Sequence, residues 1–156
     1  MAVNPSFRIE RARADDIPAL IDLLAALFAI ESDFSPDRSA QRRGLELLLS
    51  LPDDRATILV ARAQDERVIG LASAQLVIST AEGAASAWIE DVVVQESFRG
   101  KGIARQLLVG LEAWSRRHGA TRLQLLADAG NAPALDFYRH LGWQATQLGA
   151  WRKLLR

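Results

Sequence analysis

The amino-acid sequence predicts a mixed α/β (α+β) fold, in which helices cover both faces of a central sheet of mixed strand direction. Short apolar stretches rich in β-branched residues, such as 68–79 and 87–94, are typical of buried strands. Apolar residues also recur at helical spacing over 17–28 and 103–114. The strand–helix–strand unit at 86–127 predicts a right-handed parallel crossover.

The individual elements follow from local patterns. Phe7 and Ile9 alternate with charged residues, as in a half-exposed strand. A polar link at 64–67 between two apolar stretches predicts a hairpin, and Gly119 and Gly142 end helical stretches. The predicted order is β α α β β β α β α β β, with strands at 7–12, 57–63, 68–79, 87–94, 122–127, 143–147 and 151–155 and helices at 17–28, 35–51, 102–118 and 131–141.

The composition favours a single globular domain over residues 1–156. Lys plus Arg and Asp plus Glu number 19 each, and a net charge of zero favours neither a nucleic-acid nor a membrane partner. There is no cysteine, which excludes disulfides and thiolate ligands, and two histidines do not suggest a metal site. The opening residues lack the apolar core of a signal peptide, so we expect a soluble, cytoplasmic protein.

A glycine-rich turn joins the central predicted strand to the next helix. Gly100 and Gly102 flank Lys101, and a helical pattern begins directly afterwards. Such a turn presents unpaired backbone N–H groups at the positive end of the helix dipole, where a phosphate group binds well. The glycines let a ligand approach the backbone, because no Cβ stands in the way. Arg99 and Arg105 add positive charge.

Three phosphate-binding patterns can be compared with this turn. A Walker A loop is disfavoured, because the upstream glycine is absent and Ile103 stands where Ser or Thr is needed. A dinucleotide fingerprint is disfavoured, because Arg105 occupies the position of its third glycine. The pattern Arg/Gln-x-x-Gly-x-Gly/Ala is met by Arg99, Gly102 and Ala104, and it resembles the coenzyme A pyrophosphate loop of the GCN5-related N-acetyltransferases (GNAT family). For the turn alone, a plain strand–turn–helix connection explains the residues equally well.

A second motif lies further along the chain. Asn131 precedes a predicted helix that carries Phe137 and Tyr138, and Gly142 and an aromatic residue follow. This arrangement resembles the second motif of the same family. The resemblance covers residues 86–143 with specific motifs, and the remainder agrees in element order.

The resemblance implies a mostly antiparallel sheet of GNAT type and acetyl-CoA as co-substrate. It implies that the central strand diverges from its neighbour, so that backbone groups at 92–94 bind pantetheine while N–H groups at 99–105 bind pyrophosphate. Asn131 would cap its helix and contact the pantetheine arm. The implied coenzyme-binding residues are Val92, Val93, Val94, Arg99, Gly100, Lys101, Gly102, Ile103, Ala104, Arg105, Asn131 and Tyr138.

Two side chains are the catalytic candidates. Tyr138 would protonate the leaving thiolate, since a tyrosine with pKa near ~10 keeps its proton at neutral pH. Glu90 would accept a proton from the amine, because an amine of pKa about 10 arrives protonated. Asp91 is expected to point the other way unless a bulge intervenes. Alternatively, Tyr138 packs on the sheet and Glu90 is a solvated or ion-paired strand residue.

The acetyl acceptor is expected beside an acidic and aromatic patch that contains Glu31 and Phe34, with Trp88 on the central strand, although a solvated loop also explains these residues. The resulting hypothesis is an acetyl-CoA-dependent N-acetyltransferase that acts on a primary amine of a small molecule by direct attack in a ternary complex. The alternatives are a non-catalytic acyl-CoA sensor and acetylation of a protein amine. The apolar C-terminal residues also predict a homodimer.

Overall fold

The computed structural model describes residues 6–31, 33 and 35–156. The chain forms two compact units, one ending at Leu125 and one running from Leu126 to Arg156. The expectation of one domain over residues 1–156 stays a prediction.

A five-stranded sheet forms the centre of the first unit. The strands are β1 (Phe7–Arg11), β2 (Ala56–Ala63), β3 (Val68–Ser79), β4 (Ala84–Val94) and β5 (Ala120–Leu125). The helices are α1 (Ile17–Ile30), α2 (Arg38–Ser50), α3 (Ile103–Arg117) and, in the second unit, α4 (Ala132–His140). None of the helices in the described ranges is long and apolar enough to cross a membrane.

The strands lie side by side in sequence order, from β1 to β5. The pairs β1–β2, β2–β3 and β3–β4 are antiparallel, whereas β4 and β5 are parallel and are connected through α3. This connection is the predicted parallel crossover. The predicted fold class, a mixed and mostly antiparallel sheet with helices, is therefore confirmed.

Helices cover both faces of this sheet, as predicted. Ile58 and Val60 of β2 belong to a buried cluster with Leu20 of α1. Leu59 lies between them in the strand and therefore points to the opposite face. On that face α3 approaches so closely that a Cβ on Gly110 would stand 2.8 Å from Leu59 Cδ1. Glycine at this position lets α3 lie directly against β2, so the sheet is packed between α1 and α3.

The final strands predicted at 143–147 and 151–155 are wrong, because the described chain contains no strand after α4. A strand that buries one face needs apolar residues at alternate positions. The large apolar residues from 148 to 155 are spaced by three, three and one positions, so no single strand face collects them. Their side chains are exposed: Leu148 by 81%, Trp151 by 98%, Leu154 by 64% and Leu155 by 96%.

Candidate functional site

β4 carries one extra residue relative to β3 near the middle of the sheet. Ser73 of β3 faces two residues of β4, Glu90 and Asp91, where a regular ladder would place one. The flanking pairs are Ala72–Val92 and Ala74–Ile89. This irregularity is a β-bulge, which re-aims the side chains of the bulged strand.

Asp91 is held on the face of the sheet that α1 covers. Its Oδ2 accepts a hydrogen bond of 3.3 Å from the hydroxyl of Ser73. Ser73 is only 1% exposed. Leu71, two residues earlier and therefore on the same strand face, belongs to the buried cluster that includes α1. The bulge thus turns the Asp91 carboxyl towards the interior on this side of the sheet.

The environment of Asp91 changes its acidity. Burial raises the pKa of Asp91 from the usual 3.8 to about 6, and the negative charge of Glu90 acts in the same direction. The hydrogen bond from Ser73 favours the ionised form and lowers this pKa, while the charge of Glu31 raises it. A carboxyl group with a pKa close to the working pH can accept and release a proton efficiently.

Glu90, the predicted base, is exposed at the same bulge. Asp91 was expected to point the other way from Glu90 unless a bulge intervened, and the bulge is present. Asp91 is therefore the candidate that sequence reasoning did not select. The available signal was the pair of adjacent carboxylates inside an apolar strand, but the position of the bulge depends on pairing with β3.

The second half of β4 extends past its neighbour β5. The parallel ladder between the two strands ends at the pair Ile89–Leu125. Beyond this pair, Val92, Val93 and Val94 of β4 pair with β3 along one edge and have no partner in β5 along the other. The role of this edge in binding pantetheine stays a prediction.

Two glycines with a left-handed backbone lie in the turn between β4 and α3. Gly100 and Gly102 have φ values of +75° and +78°, and a Cβ on either residue would meet no heavy atom within 4 Å outside the adjoining residues. These left-handed conformations favour glycine, and the open space leaves room for a ligand against the backbone. Arg99 is exposed, and its Nε donates a hydrogen bond of 3.1 Å to the Val94 carbonyl. Lys101 is exposed, with its Nζ 5.0 Å from the centre of the Phe98 ring.

The N-terminus of α3 differs from those of two other helices. Asp37 caps α2 by accepting from the Ala40 N–H at 3.0 Å, and Asn131 caps α4 by accepting from the Ala134 N–H at 3.2 Å. Gly102 precedes α3 and has no side chain that could accept a hydrogen bond. The first-turn N–H groups of α3 are therefore without a side-chain cap, and an anion could bind them. In this first turn, Ile103 is buried, Ala104 is half-buried and Arg105 is exposed.

The second unit presents Tyr138 within an aromatic cluster. The Tyr138 ring is half-buried and lies edge-on to Phe137 at 5.3 Å and to Trp143 at 5.7 Å between ring centres. The Trp143 N–H donates to the Tyr138 carbonyl at 3.0 Å and closes the turn after α4. Asn131 caps the same helix, as predicted, so the second motif has the expected local structure.

Of the three residues predicted to contact the acetyl acceptor, two lie in the part of the chain that the structure describes. Glu31 is half-buried directly after α1, and its charge affects the pKa of Asp91. Trp88 is half-buried on β4, between Gln75 of β3 and Gln124 of β5. Phe34 lies outside the described residues. In the ranges that the structure describes, no group of three or more His, Asp or Glu side chains could hold a metal ion.

Curated acetyltransferases are similar to parts of this chain. The aminoglycoside N(6′)-acetyltransferase type 1 of Stenotrophomonas maltophilia is 28% identical over 105 residues, which cover 65% of this chain and 69% of that protein. N-alpha-acetyltransferase 80 of Mus musculus is 45% identical over 56 residues, which cover 36% of this chain and 17% of the mouse protein. The chain therefore spans a small part of the mouse protein.

Solved structures share the fold along nearly the whole chain. A possible acetyltransferase from Clostridium difficile 630 has a TM-score of 0.82 at 18% identity and covers 96% of this chain and 98% of its own. An aminoglycoside acetyltransferase from an uncultured soil metagenomic sample, in complex with sisomicin, has a TM-score of 0.77 at 21% identity and covers 99% of both chains. At these identities the similarity shows the fold alone.

A model of the acetyltransferase (GNAT) family matches residues 19–143. The match includes the bulge in β4, the glycine turn before α3 and the capped helix α4. These are the segments on which the sequence motifs lie. The chain therefore belongs to the acetyltransferase (GNAT) family.

Proposed function

We propose that this protein is an acetyl-CoA-dependent N-acetyltransferase that transfers an acetyl group to a primary amine of a small molecule. One observation carries the proposal: Gly100 and Gly102 are left-handed glycines with open space beside them, directly before a helix without a side-chain cap. In a chain of this family, such a turn suits the pyrophosphate of coenzyme A. No metal ion takes part in the proposed reaction.

The donor would bind along β4 and the turn that follows it. Backbone groups of Val92, Val93 and Val94 would hold pantetheine, since β5 does not pair with this part of β4. The N–H groups from Arg99 to Arg105 would bind the pyrophosphate, with Lys101 supplying positive charge. In the second unit, Asn131 and Tyr138 would contact the pantetheine arm, as the family resemblance implies.

The proposed reaction is a direct attack in a ternary complex. A carboxylate at the β4 bulge takes a proton from the acceptor ammonium, and the nitrogen lone pair forms a bond with the thioester carbonyl carbon. The C–S bond then breaks with its electron pair on sulfur, and the Tyr138 hydroxyl gives that sulfur a proton. The second proton of the newly bonded nitrogen passes to the tyrosinate, directly or through water, which leaves a neutral amide and restores the Tyr138 hydroxyl. The 156 residues contain no cysteine that could form an acyl-enzyme.

The acceptor would be a cationic amine. The carboxylates of Glu90 and Asp91 lie together at the bulge, and Glu31 is close enough to influence Asp91. Negative charge at this place attracts an ammonium group. Two of the similar proteins are named as aminoglycoside acetyltransferases. Trp88, half-buried on β4, would supply apolar contact with the acceptor.

Thiol release from acetyl-CoA, measured across a panel of amines, tests the proposed function. The panel contains aminoglycosides, polyamines, amino acids and a peptide with a free N-terminus. We expect thiol release that depends on a small amine, with one acetyl group added to that amine by mass spectrometry. Release with the peptide alone would indicate a protein amine as acceptor. Binding of acetyl-CoA with no release for any acceptor would indicate a non-catalytic sensor.

Gly102→Asp should weaken acetyl-CoA binding by about tenfold or more, because it places a carboxylate beside the pyrophosphate and disturbs charge-assisted hydrogen bonds of about 1.5–3 kcal/mol. Gly83→Asp is the matched control. Gly83 also has a left-handed φ, +64°, and open space beside it, but it lies in the turn between β3 and β4. Calorimetry should show weaker binding for the first variant only. Equal affinities for the two folded variants would contradict the phosphate site.

Tyr138→Phe should lower kcat by about 10²–10⁴-fold, because it removes the proton donor of the leaving thiolate. The ring contacts with Phe137 and Trp143 stay available, so the melting temperature should change little. Acetyl-CoA affinity should fall only modestly. A near-normal kcat, measured where chemistry limits turnover, would exclude Tyr138 as the acid, and a loss confined to affinity would assign it to binding.

We also propose a homodimer that forms through the C-terminal segment, residues 143–155. This short segment carries four exposed large apolar side chains, and such a patch is typical of an interface. Sedimentation at roughly tens of micromolar should show a dimer for the wild type and a monomer for Trp151→Glu. A wild-type monomer at that concentration would contradict the proposed interface.

A further inference from the structure

We propose that Asp91, rather than the more exposed Glu90, is the catalytic residue that takes the proton from the acceptor ammonium. The inference deepens the proposed function and rests on it. The sequence singled out Glu90 and left Asp91 without a role in the reaction. The structure reverses this order, because it brings Asp91 into the covered face of the sheet while Glu90 stays exposed.

The geometry begins with the register of the sheet. Since β4 has two residues opposite Ser73, Asp91 lies on the same face as Ser73 and accepts its hydroxyl hydrogen bond. In a regular strand, Asp91 and Glu90 would point to opposite faces. The hydrogen bond engages Oδ2, and the proposed proton acceptor is the other carboxylate oxygen, Oδ1. Asp91 also lies directly before Val92, where the proposed pantetheine edge begins.

The groups that face Asp91 come from three elements. Ser73 of β3 donates a hydrogen bond, Glu90 is its neighbour on β4, and Glu31 follows the end of α1. Glu90 and Glu31 are acidic, and they disfavour a further negative charge on Asp91. Ser73 stabilises the ionised form. An arriving ammonium group would relieve the repulsion among the carboxylates, and it would leave as an amide without charge.

The acidity of Asp91 suits this role. With a pKa of about 6, Asp91 is mostly ionised at pH 7 and is a stronger base than an exposed aspartate. Below that pH the carboxyl is protonated and cannot accept a proton, so the rate should fall as the pH falls through about 6. Without a base on the enzyme, the rate would keep rising with pH towards the amine pKa of about 10.

Two protons leave the acceptor nitrogen in the reaction. Asp91 Oδ1 gains the first proton from the ammonium, and the freed electron pair forms the new C–N bond to the acetyl carbon. The thiolate of coenzyme A leaves with the electron pair of the C–S bond and is protonated by Tyr138. The second nitrogen proton passes to the tyrosinate, directly or through water, which leaves a neutral amide and restores the Tyr138 hydroxyl. Asp91 then gives its proton to water, which restores the carboxylate.

The test compares pH profiles of kcat/KM for the full chain, with an acceptor found in the amine panel. Asp91→Asn should lower the rate at pH 7 by about 10²–10⁴-fold, and its profile should rise towards the pKa of the amine. Asp91→Glu, which keeps a carboxyl group, should recover part of the rate. It should also recover the fall in rate below about pH 6, which is the acid limb of the profile. Thermal melting and acetyl-CoA calorimetry establish that both variants fold.

Two further variants should move the acid limb in opposite directions. Glu90→Gln removes a negative charge that raises the pKa of Asp91, so the limb should move to lower pH. Ser73→Ala removes a hydrogen bond that lowers this pKa, so the limb should move to higher pH. A profile in which Glu90→Gln loses the limb while Asp91→Asn keeps it would overturn the proposal and assign the proton to Glu90.

A readout without turnover separates this inference from the proposed function. Carbon NMR titration of the Asp91 carboxyl, assigned with Asp91→Asn, should show a pKa raised above the ordinary value. An ordinary aspartate pKa would overturn the role of Asp91 even if acetyl transfer is observed. A wild-type protein that acetylates no acceptor would overturn the proposed function, and the role of Asp91 with it, whatever the titration shows.

Discussion

The pairing of β3 with β4 is the constraint on which the rest of the site depends. Side chains on a strand alternate between two faces, so one extra residue changes the face of everything that follows. The extra residue opposite Ser73 brings two carboxylates to one place, and the strand then resumes regular pairing up to Val94. The bulge therefore positions Asp91 without disturbing the part of β4 that leads into the glycine turn.

β4 serves two purposes because its two edges differ. Along one edge it pairs with β3 over nearly its whole length, which holds it in the core. Along the other edge, the ladder with β5 ends at Ile89. The proposed proton acceptor, Asp91, and the proposed donor edge, which begins at Val92, are thus adjacent on the same strand.

The parts of the structure that depend on local sequence could be predicted. Gly100 and Gly102 lie in a turn that opens α3, with space beside them as the lack of a Cβ suggests, and Asn131 caps the helix that follows it. The parts that depend on pairing between distant residues could not. The bulge is a property of β3 and β4 together, so the sequence of β4 alone could not decide between Glu90 and Asp91. The last two strands were predicted as a hairpin around Gly149, but the large apolar residues from 148 to 155 lack the alternate spacing of a strand face and the described chain has no strand there.

A crystal structure with coenzyme A and an acceptor amine would measure the distance from the amine nitrogen to each carboxylate at the bulge. We expect the nitrogen to lie about 2.6–3.2 Å from Asp91 Oδ1, or to reach it through one water, with the pyrophosphate at the N–H groups of residues 99–105. An amine nitrogen bound to Glu90 and remote from Asp91, or a pyrophosphate bound away from the glycine turn, would contradict the proposed site.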